Sequence, residues 1–333
     1  MTTLKKSPDR DFTVLNLGDP QVDHERWGIG LDPHNMIRIT LDAILPRVKP
    51  DLITVTGDLS DEYGRELYEY ILGYIDGLGY PWAPVFGNHD QEDGADTEDI
   101  MQMLTAAENC LFERGPADLG HGHYTVAVEE DGKLCSALIF MDSHKRKYYF
   151  DESGKEKRYI VPFSQAQLDW YRDEVTSLQK LGCFDTGLVF HIPLHEFKVA
   201  WNEAVRDDVS LKGLLPWDTA DADIWNAGYE DSFGINYEEE SCHSADVKFF
   251  DLIKELGSTK HILCGHDHNN NSSILYKGVR LTYGSKIGCG GYYDPRQNGC
   301  TVIKIGSNGI KKIYHEYHDL REMWYANKGK YND

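Results

Sequence analysis

The sequence predicts an α/β fold organised around a largely parallel β-sheet. Three short segments of high β-propensity, residues 12–17, 52–56 and 82–86, alternate with residues 35–48 and 66–78, whose apolar side chains recur at helical spacing. This strand–helix–strand alternation is typical of parallel sheets flanked by helices. Because ligands bind beyond the carboxyl ends of the strands in such sheets, the turns after the three strands are candidate site positions.

Each of these three strands is followed by a turn that offers an oxygen ligand. Asp19 follows strand 12–17, Asp58 follows strand 52–56 and Asn88 follows strand 82–86, each directly after a glycine. Pro20 has no amide hydrogen, so it ends the first strand at this point. We therefore expect Asp19, Asp58 and Asn88 at the same edge of the sheet.

The rest of the chain continues the mixed pattern. We expect a helix at 98–109, a β-hairpin of 123–129 with 134–141, a helix from the capping box at 164–167 to about residue 181, a strand at 187–190 and a helix at 244–256. Two further hairpins are predicted within 272–315, and the tail from residue 321 is predicted to be peripheral. Residues 194–242 form an irregular insertion, typical of a lid over a site. No repeat or linker divides the chain, so residues 1–333 are expected to form a single domain.

The charge balance excludes several kinds of partner. The chain has 34 basic and 55 acidic residues, which give a net charge of -21 at pH 7. Such a surface repels DNA, RNA and anionic lipid, so neither a nucleic-acid nor a membrane partner is expected. It also repels phosphate groups, so any phosphate chemistry needs cations at the site, and metal ions would supply them.

Cysteine usage favours a cytoplasmic protein. The 7 cysteines are scattered without a CxxC pair, which predicts reduced thiols. The first ten residues lack the apolar core of a signal peptide, and no stretch approaches the roughly 18 apolar residues of a membrane-spanning helix. We therefore expect a cytoplasmic protein.

The strongest chemical signal is the run Leu-Cys-Gly-His-Asp-His at residues 263–268. The apolar run at 261–264 predicts a strand, and Gly265 allows the backbone to turn tightly after it. His266 and His268 are two residues apart, so in an extended segment both side chains point the same way. Imidazole suits Zn, Fe, Mn or Ni, although most such pairs are only polar residues at a strand end.

Other strand ends supply the ligands that this histidine pair lacks. They offer Asp19, Gln21, Asp58, Asn88 and a lone His191 after strand 187–190. Taken singly, such residues are equally typical of helix caps, turns and buried polar positions. In combination they predict two metal ions bridged by a carboxylate and roughly 3.5–4 Å apart, an arrangement that serves in-line displacement at phosphorus.

The order of these motifs resembles that of the calcineurin-like metallophosphoesterases. The motifs are Gly57-Asp58, Gly87-Asn88-His89-Asp90, His191 and Gly265-His266-Asp267-His268, and with Asp19 they span about three quarters of the chain. The segments around His191, His266 and Tyr283-Gly284 further resemble the purple-acid-phosphatase-like branch. The resemblance implies an αββα sandwich of two mixed β-sheets flanked by helices, the metallo-dependent phosphatase fold.

The resemblance also implies a role for each residue. Asp58 would bridge both ions, and the other ligands would bind one ion each, Asp19 and His268 the first and Asn88, His191 and His266 the second. The cofactors would be two divalent or mixed-valence ions of Mn, Fe, Zn or Mg. His89 would bind the substrate phosphate or protonate the leaving oxygen, with Asp90 orienting its ring, and Asn88 would also contact the phosphate.

Two positions depart from the family pattern. Where the family has Asp-x-His, this chain has Asp19-Pro20-Gln21, and an amide oxygen is a harder and weaker ligand than imidazole. Gln21 could therefore bind the first ion and favour Mn or Mg, leave that place to His24, or not coordinate at all. Asp61 stands where purple acid phosphatases carry a tyrosine ligand, so no purple charge-transfer colour is expected.

The sequence therefore predicts a metal-dependent phosphoric ester hydrolase that cleaves phosphate monoesters by attack of a metal-bound hydroxide. Two alternatives stay open, a phosphodiesterase acting on nucleotides or phospholipid head groups and a metal-binding scaffold without catalysis. The expected substrate is a small phosphorylated molecule. The basic run Lys145-Arg146-Lys147 is a candidate segment for binding it, or else a solvated loop.

Overall fold

The structure, a computed structural model, describes residues 1–23, 32–92, 94–327 and 330 of the chain. The strands are β1 (Thr2–Lys5), β2 (Phe12–Leu17), β3 (Leu52–Val55), β4 (Trp82–Pro84), β5 (Tyr124–Glu130), β6 (Lys133–Phe140), β7 (Arg146–Phe150), β8 (Glu156–Ile160), β9 (Thr186–Val189), β10 (Thr259–Cys264), β11 (Ser273–Tyr276), β12 (Val279–Tyr283), β13 (Gly299–Gly306) and β14 (Gly309–Tyr317). The helices are α1 (Pro33–Val48), α2 (Arg65–Gly77), α3 (Thr97–Ala106), α4 (Gln165–Lys180), α5 (His195–Ala204), α6 (Phe249–Leu256) and α7 (Leu320–Asn327).

The strands form two mixed sheets and a separate hairpin. A five-stranded sheet has the order β14-β13-β2-β3-β4, in which β2, β3 and β4 are parallel. A seven-stranded sheet has the order β1-β5-β6-β9-β10-β12-β11, in which β6, β9, β10 and β12 are parallel. Strands β7 and β8 pair only with each other.

The two sheets pack face to face with helices on both outer faces. One apolar core joins β2 and β3 to β5, β6 and helices α1 to α3, through residues such as Leu15, Val55 and Leu138. A second core lies on the other face of the seven-stranded sheet, where α4, α5 and α6 cover residues such as Leu188 and Ile262. Strand β2 is buried along its whole length, because it has a sheet-facing and a helix-facing side. The predicted αββα sandwich of two mixed sheets is confirmed.

Most predicted elements are confirmed to within a few residues, but the exposed parts of the chain differ. The basic run at 145–147 is expected to be a substrate-binding segment or a solvated loop, whereas strand β7 begins at Arg146. The insertion predicted at 194–242 opens with a regular helix, α5, and the helix predicted from residue 244 begins only at Phe249. Strand β1 and helix α7 were not predicted; β1 pairs with β5, and Leu320 of α7 packs in a small core with Met36 of α1.

Within the described part of the chain, no helix combines the length and the apolar character needed to span a bilayer.

Candidate metal centre

The predicted ligands meet where strands of both sheets end. Asp19, Asp58 and Asn88 follow β2, β3 and β4 of the five-stranded sheet, and His191 and His266 follow β9 and β10 of the seven-stranded sheet. The backbone joins the two sheets at this edge, because Gly18 donates to the carbonyl of Ser285 at 3.2 Å. The parallel strands therefore bring the distant segments together, as the sequence predicted.

The side chains form two overlapping groups that can hold a cation. One group contains Asp58, His191 and His266, and the other contains Asp19, Asp58 and His268. Within each group the candidate ligand atoms lie within 4.8 Å of one another, and every residue is buried. Asp58 belongs to both groups, which is the position of a bridging carboxylate.

His191 lies at the centre of the first group. Its Nε2 is 3.2 Å from Oδ2 of Asp58, 3.1 Å from Oδ1 of Asn88 and 3.1 Å from Nδ1 of His266. Its Nδ1 lies 2.7 Å from the carbonyl oxygen of Thr56, to which it donates. This hydrogen bond fixes the ring and directs Nε2 towards the site, the usual arrangement of a metal-binding histidine.

Backbone and hydroxyl groups orient the other two imidazoles in the same way. Nδ1 of His268 lies 2.7 Å from the carbonyl oxygen of Tyr292, and its Nε2 lies 3.9 Å from Oδ1 of Asp19. Nε2 of His266 lies 3.2 Å from Oγ of Ser241, which leaves its Nδ1 facing His191. Each ring thus has one nitrogen engaged and one available to a cation.

The backbone is strained at the positions that carry ligands. Asp19, Gln21, Asp58 and His266 all have positive φ, at 46°, 39°, 50° and 81°. Such conformations cost of order 1–3 kcal/mol each in residues other than glycine and cluster at functional sites. The neighbouring glycine at 87 is required by space, because a Cβ there would overlap the Asp58 carboxylate.

The electrostatics of the site favour a bound cation. Burial raises the pKa of Asp19 to about 6. Burial also acts to raise the pKa of Asp58, but the nearby His191 and His89 hold the pKa of Asp58 below its usual range. Burial lowers the pKa of His191, yet the carboxylates of Asp58 and Asp19 raise it to about 9. In the absence of metal, a protonated ring therefore lies between two carboxylates. A metal ion would displace that proton, so metal affinity should fall as the pH is lowered.

The donor set fits divalent metal ions. Burial lowers the pKa values of His266 and His268 well below their ordinary value, so both rings are neutral and can act as ligands. Two buried carboxylates and three imidazoles within a few ångströms would be costly without a cation. Nitrogen and oxygen donors of this kind suit Mn, Fe and Zn, and the oxygens alone also suit Mg.

Asn88 is oriented by a buried ion pair. Its Nδ2 donates to Oε2 of Glu92 at 3.3 Å, which turns its Oδ1 towards His191. Glu92 in turn accepts from Nη2 of Arg146 at 2.7 Å. Arg146 lines the cavity over the metal centre, but its ion pair with Glu92 fixes its position. Through Glu92 it helps to hold Asn88 in place.

The other two basic residues of this run lie away from the cavity. Nζ of Lys145 donates to the carbonyl oxygen of Gln91 at 2.6 Å, and Lys147 is exposed on β7. Arg158 of the partner strand β8, which the sequence did not single out, lines the cavity with Arg146. Arg158 could not be recognised as a site residue from the sequence, because it lies among exposed charged residues in a stretch without apolar periodicity.

His89 lies beside the ligands, but its ring is oriented by Asp61 and not by Asp90. Nδ1 of His89 is 2.8 Å from the carbonyl oxygen of Asp61 and 3.9 Å from its Oδ1. Asp90 instead accepts hydrogen bonds from the backbone amides of Leu59 and Gly87, at 3.0 Å and 2.8 Å. The expected contact of Asp90 with the ring is therefore corrected: Asp90 holds the β3 and β4 turns together.

A cavity of about 500 Å³ opens above the metal centre. Its floor includes Asp58, Asn88, His89, His266 and His268, and its walls include Arg146, Arg158, Glu238, Ser241 and Tyr292. Glu238, Glu239 and Ser241 belong to the predicted insertion, so the expectation that this segment borders the site agrees with the structure. This volume is in the usual range of small-molecule sites.

Gln21 also lines the cavity, next to the bridging carboxylate. Its Nε2 lies 3.4 Å from Oδ2 of Asp58, and its Oε1 is buried without a hydrogen-bond partner among the described residues. Gly291 packs against this amide so closely that a Cβ at 291 would overlap it. The alternative ligand His24 lies outside the described residues. The amide of Gln21 thus lies beside the site, with Nε2 towards Asp58 and Oε1 towards Gly291.

Gln21→His tests this position. If residue 21 faces the first ion, an imidazole should tighten binding of that ion by about tenfold or more and shift the preference from Mn towards Zn, since nitrogen is the softer donor. Titration of each metal into the protein in a calorimeter measures both the affinity and the metal preference. Gln21→Asn, which keeps the amide but shortens the side chain, is the matched control. An unchanged titration in Gln21→His would show that residue 21 does not coordinate.

Carboxylates, an amide and three imidazoles from separate strand ends meet at one cavity. The fold and this site define the protein as an α/β sandwich with a candidate metal centre. A family model described as Calcineurin-like phosphoesterase matches residues 12–270. The chain belongs to this family.

Its curated relatives include purple acid phosphatase-like proteins of Arabidopsis thaliana. The chain is 24% identical over 283 residues to "Probable inactive purple acid phosphatase 29". This match covers 76% of this chain and 64% of that protein. The chain is 26% identical over 309 residues to "Probable inactive purple acid phosphatase 28", with 82% and 69% covered. The chain thus spans slightly less than two thirds of the first relative's length. A "Probable cyclic nucleotide phosphodiesterase" of Psychrobacter arcticus is 24% identical over 184 residues, with 52% and 58% covered.

Proposed function

We propose that this chain is a dinuclear metal-dependent phosphoesterase that hydrolyses phosphate monoesters. The observation that carries the proposal is the buried Asp58, whose carboxylate is shared by two groups of potential ligands. Two cations bound in these groups would lower the pKa of bound water and neutralise charge on the phosphoryl oxygens. The family membership supports the same reaction class.

The residues of the chain itself would position the substrate and move a proton. His89 faces the cavity with its Nδ1 held by Asp61, so its Nε2 is the atom placed to meet a phosphate oxygen or a leaving oxygen. Asn88 would place its amide beside the same phosphate, held by Glu92. The insertion residues Glu238 and Ser241 would restrict the space available to the leaving group.

Arg158 is proposed to bind the negative charge of the substrate. It is exposed at the cavity wall, whereas the neighbouring Arg146 is engaged by Glu92. We expect Arg158→Gln to raise KM by about tenfold, equivalent to ~1.4 kcal/mol, with little change in kcat. Steady-state kinetics measure this split. Arg172→Gln, which removes an exposed arginine paired with Glu255 on α6, is the control and should change neither constant. A large fall in kcat with unchanged KM would contradict the assignment.

The identity and number of the metals belong to the proposal. We propose two ions drawn from Mn, Fe, Zn and Mg, one in each ligand group. Elemental analysis of the purified protein measures both, and a stoichiometry of one ion per chain would contradict the dinuclear centre.

Activity on matched chromogenic substrates tests the reaction. We expect release of nitrophenol from a phosphate monoester, supported by added Mn, with little release from the corresponding diester. The relative of Psychrobacter arcticus is named as a phosphodiesterase, so a diester preference would favour that alternative. The Arabidopsis relatives are named as inactive, so metal binding without turnover on either substrate would favour the scaffold alternative.

We also propose that the protein works in a reducing compartment, namely the cytoplasm. All seven cysteines are free thiols, and five of them are buried. No partner other than a small phosphorylated substrate is proposed, since the charge of -21 opposes nucleic acid and anionic membranes. Thiol titration of the freshly purified protein without reductant should find seven reactive groups after unfolding.

A further inference from the structure

A second cavity lies at the opposite end of strand β10 from the metal centre. It has a volume of about 400 Å³ and is lined by His261, near the start of β10, and by Arg280 of β12. The metal ligand His266 follows the other end of β10. Strand β10 continues for three residues beyond His261, roughly 10 Å, before the turn that carries His266, and the two cavities share no lining residue. The two cavities are therefore distinct.

This second cavity is cationic in a strongly acidic chain. Four cations line it, Lys260, Arg280, Lys311 and Lys312, against the single carboxylate of Asp231. Nζ of Lys311 lies 3.3 Å from Oδ2 of Asp11, which neutralises one of the four. The carboxylate of Asp185 also lies close enough to Lys260 for their charges to interact. The positive groups therefore exceed the negative ones by one, in a chain that carries a net charge of -21. Clustering of this kind focuses a positive potential on a small anion.

The wall of the cavity contains an unpartnered polar group. His261 is only 1% exposed, and its Nε2 is buried without a hydrogen-bond partner in the described part of the chain. A buried polar atom of this kind is costly unless something satisfies it. The imidazole contributes to the cavity lining, and its unpartnered Nε2 lies just behind the cavity surface.

Arg280 lies directly beside this histidine. His261 and Arg280 are register partners in the parallel pair β10–β12, so their side chains lie on the same face of the sheet. Nη1 of Arg280 donates to the carbonyl oxygens of Asp231 and Ser273 at 3.3 Å and 3.4 Å. These partners are neutral, and a guanidinium binds the oxygens of a phosphate more strongly than it binds carbonyl groups.

We propose that this cavity binds a small phosphate-bearing anion. Arg280 donates hydrogen bonds to the phosphate oxygens, the imidazole of His261 packs beside it, and Lys260 and Lys312 contribute positive charge at the opening. The apolar side chains of Phe233 and Ile313 form the remaining wall and leave room for a non-polar part of the ligand. The site is independent of the hydrolytic function, since it shares no residue with the metal centre.

Calorimetric titration of inorganic phosphate into the full chain tests the proposal. Phosphate also binds metal centres, so the titration is made in the Asp58→Asn background, in which the metal centre is impaired. We expect Asp58→Asn protein to retain one phosphate site and the double variant with Arg280→Gln to bind at least tenfold more weakly. Binding should also weaken as the salt concentration rises. The matched control is Arg172→Gln in the same background, which should bind like Asp58→Asn.

Two results would overturn the proposal. One is the absence of phosphate binding by Asp58→Asn protein up to millimolar concentrations. The other is equal binding by Asp58→Asn and its Arg280→Gln derivative. If thermal unfolding shows that Arg280→Gln disturbs the fold, Lys260→Gln with Lys312→Gln replaces it, since both lysines are exposed. A severalfold loss of affinity in that variant supports the site, and unchanged affinity overturns it.

Discussion

Asp58→Asn should lower kcat/KM for phosphate-ester hydrolysis by roughly 10³-fold or more, the scale expected when transition-state charge stabilisation is lost. Asp58 is the carboxylate shared by the two ligand groups, and asparagine offers one neutral oxygen in its place. Both the number of bound metals and the rate should therefore fall together. Phosphate release and elemental analysis of the same preparation measure the two effects.

The control for this variant removes the charge of another hydrogen-bonded carboxylate that lies away from the site. Asp185 accepts from Oγ of Ser136 at 2.8 Å and from the amide of Ile310 at 3.1 Å, so Asp185→Asn tests the loss of a structural carboxylate. Without metal, Asp58→Asn should melt lower than the wild type, because the protonated ring of His191 loses the carboxylate that does most to raise its pKa. Turnover near the wild-type rate in Asp58→Asn would sink the proposed mechanism.

His89→Ala should lower kcat by roughly 10²- to 10³-fold, the range of general acid–base catalysis. Burial lowers the pKa of His89, but the carboxylates of Asp58 and Asp61 outweigh it, so the pKa lies above its ordinary value. This shift favours the protonated form of the ring, which can donate a proton. The wild-type rate should fall as the pH rises through this pKa, and the pH–rate profile of His89→Ala should lack that fall.

The leaving group separates the two roles considered for His89. If the ring protonates the leaving oxygen, the loss in His89→Ala should be large for an alkyl phosphate and small for a nitrophenyl phosphate, whose leaving group needs no proton. If the ring only binds the phosphate, both substrates should lose equally. Metal content should stay unchanged, in contrast to Asp58→Asn. An unaltered rate on both substrates would remove His89 from the mechanism.

The convergence of the candidate ligands could be predicted from the sequence because the fold imposes their position. Parallel strands end at a common edge, so a polar residue after β2, β3 or β9 can reach only a small region of space. Asp19, Asp58 and His191 were found in this way, although they lie far apart in the chain. Strained turns strengthen the effect, since positive φ at Asp19 and Asp58 leaves their side chains little choice of direction.

The residues that orient these ligands could not be predicted with the same ease. The sequence neighbour Asp90 was expected to contact His89, but the tight turn directs its carboxylate to the amides of Leu59 and Gly87. The Glu92–Arg146 pair crosses 54 residues of sequence, and nothing in local spacing reveals it. Hairpin β7–β8 was missed because charged, exposed strands lack the alternation of apolar residues by which strands are recognised.

The division of ligands between the two sheets bears on how the protein is made. The contact of Asp19 with the amide of His266 spans 247 residues, so neither sheet carries a complete set of donors. Most of the polypeptide must therefore be synthesised before both sheets can bind the same ion. If the chain binds ions as proposed, they are captured late, after both sheets have been made.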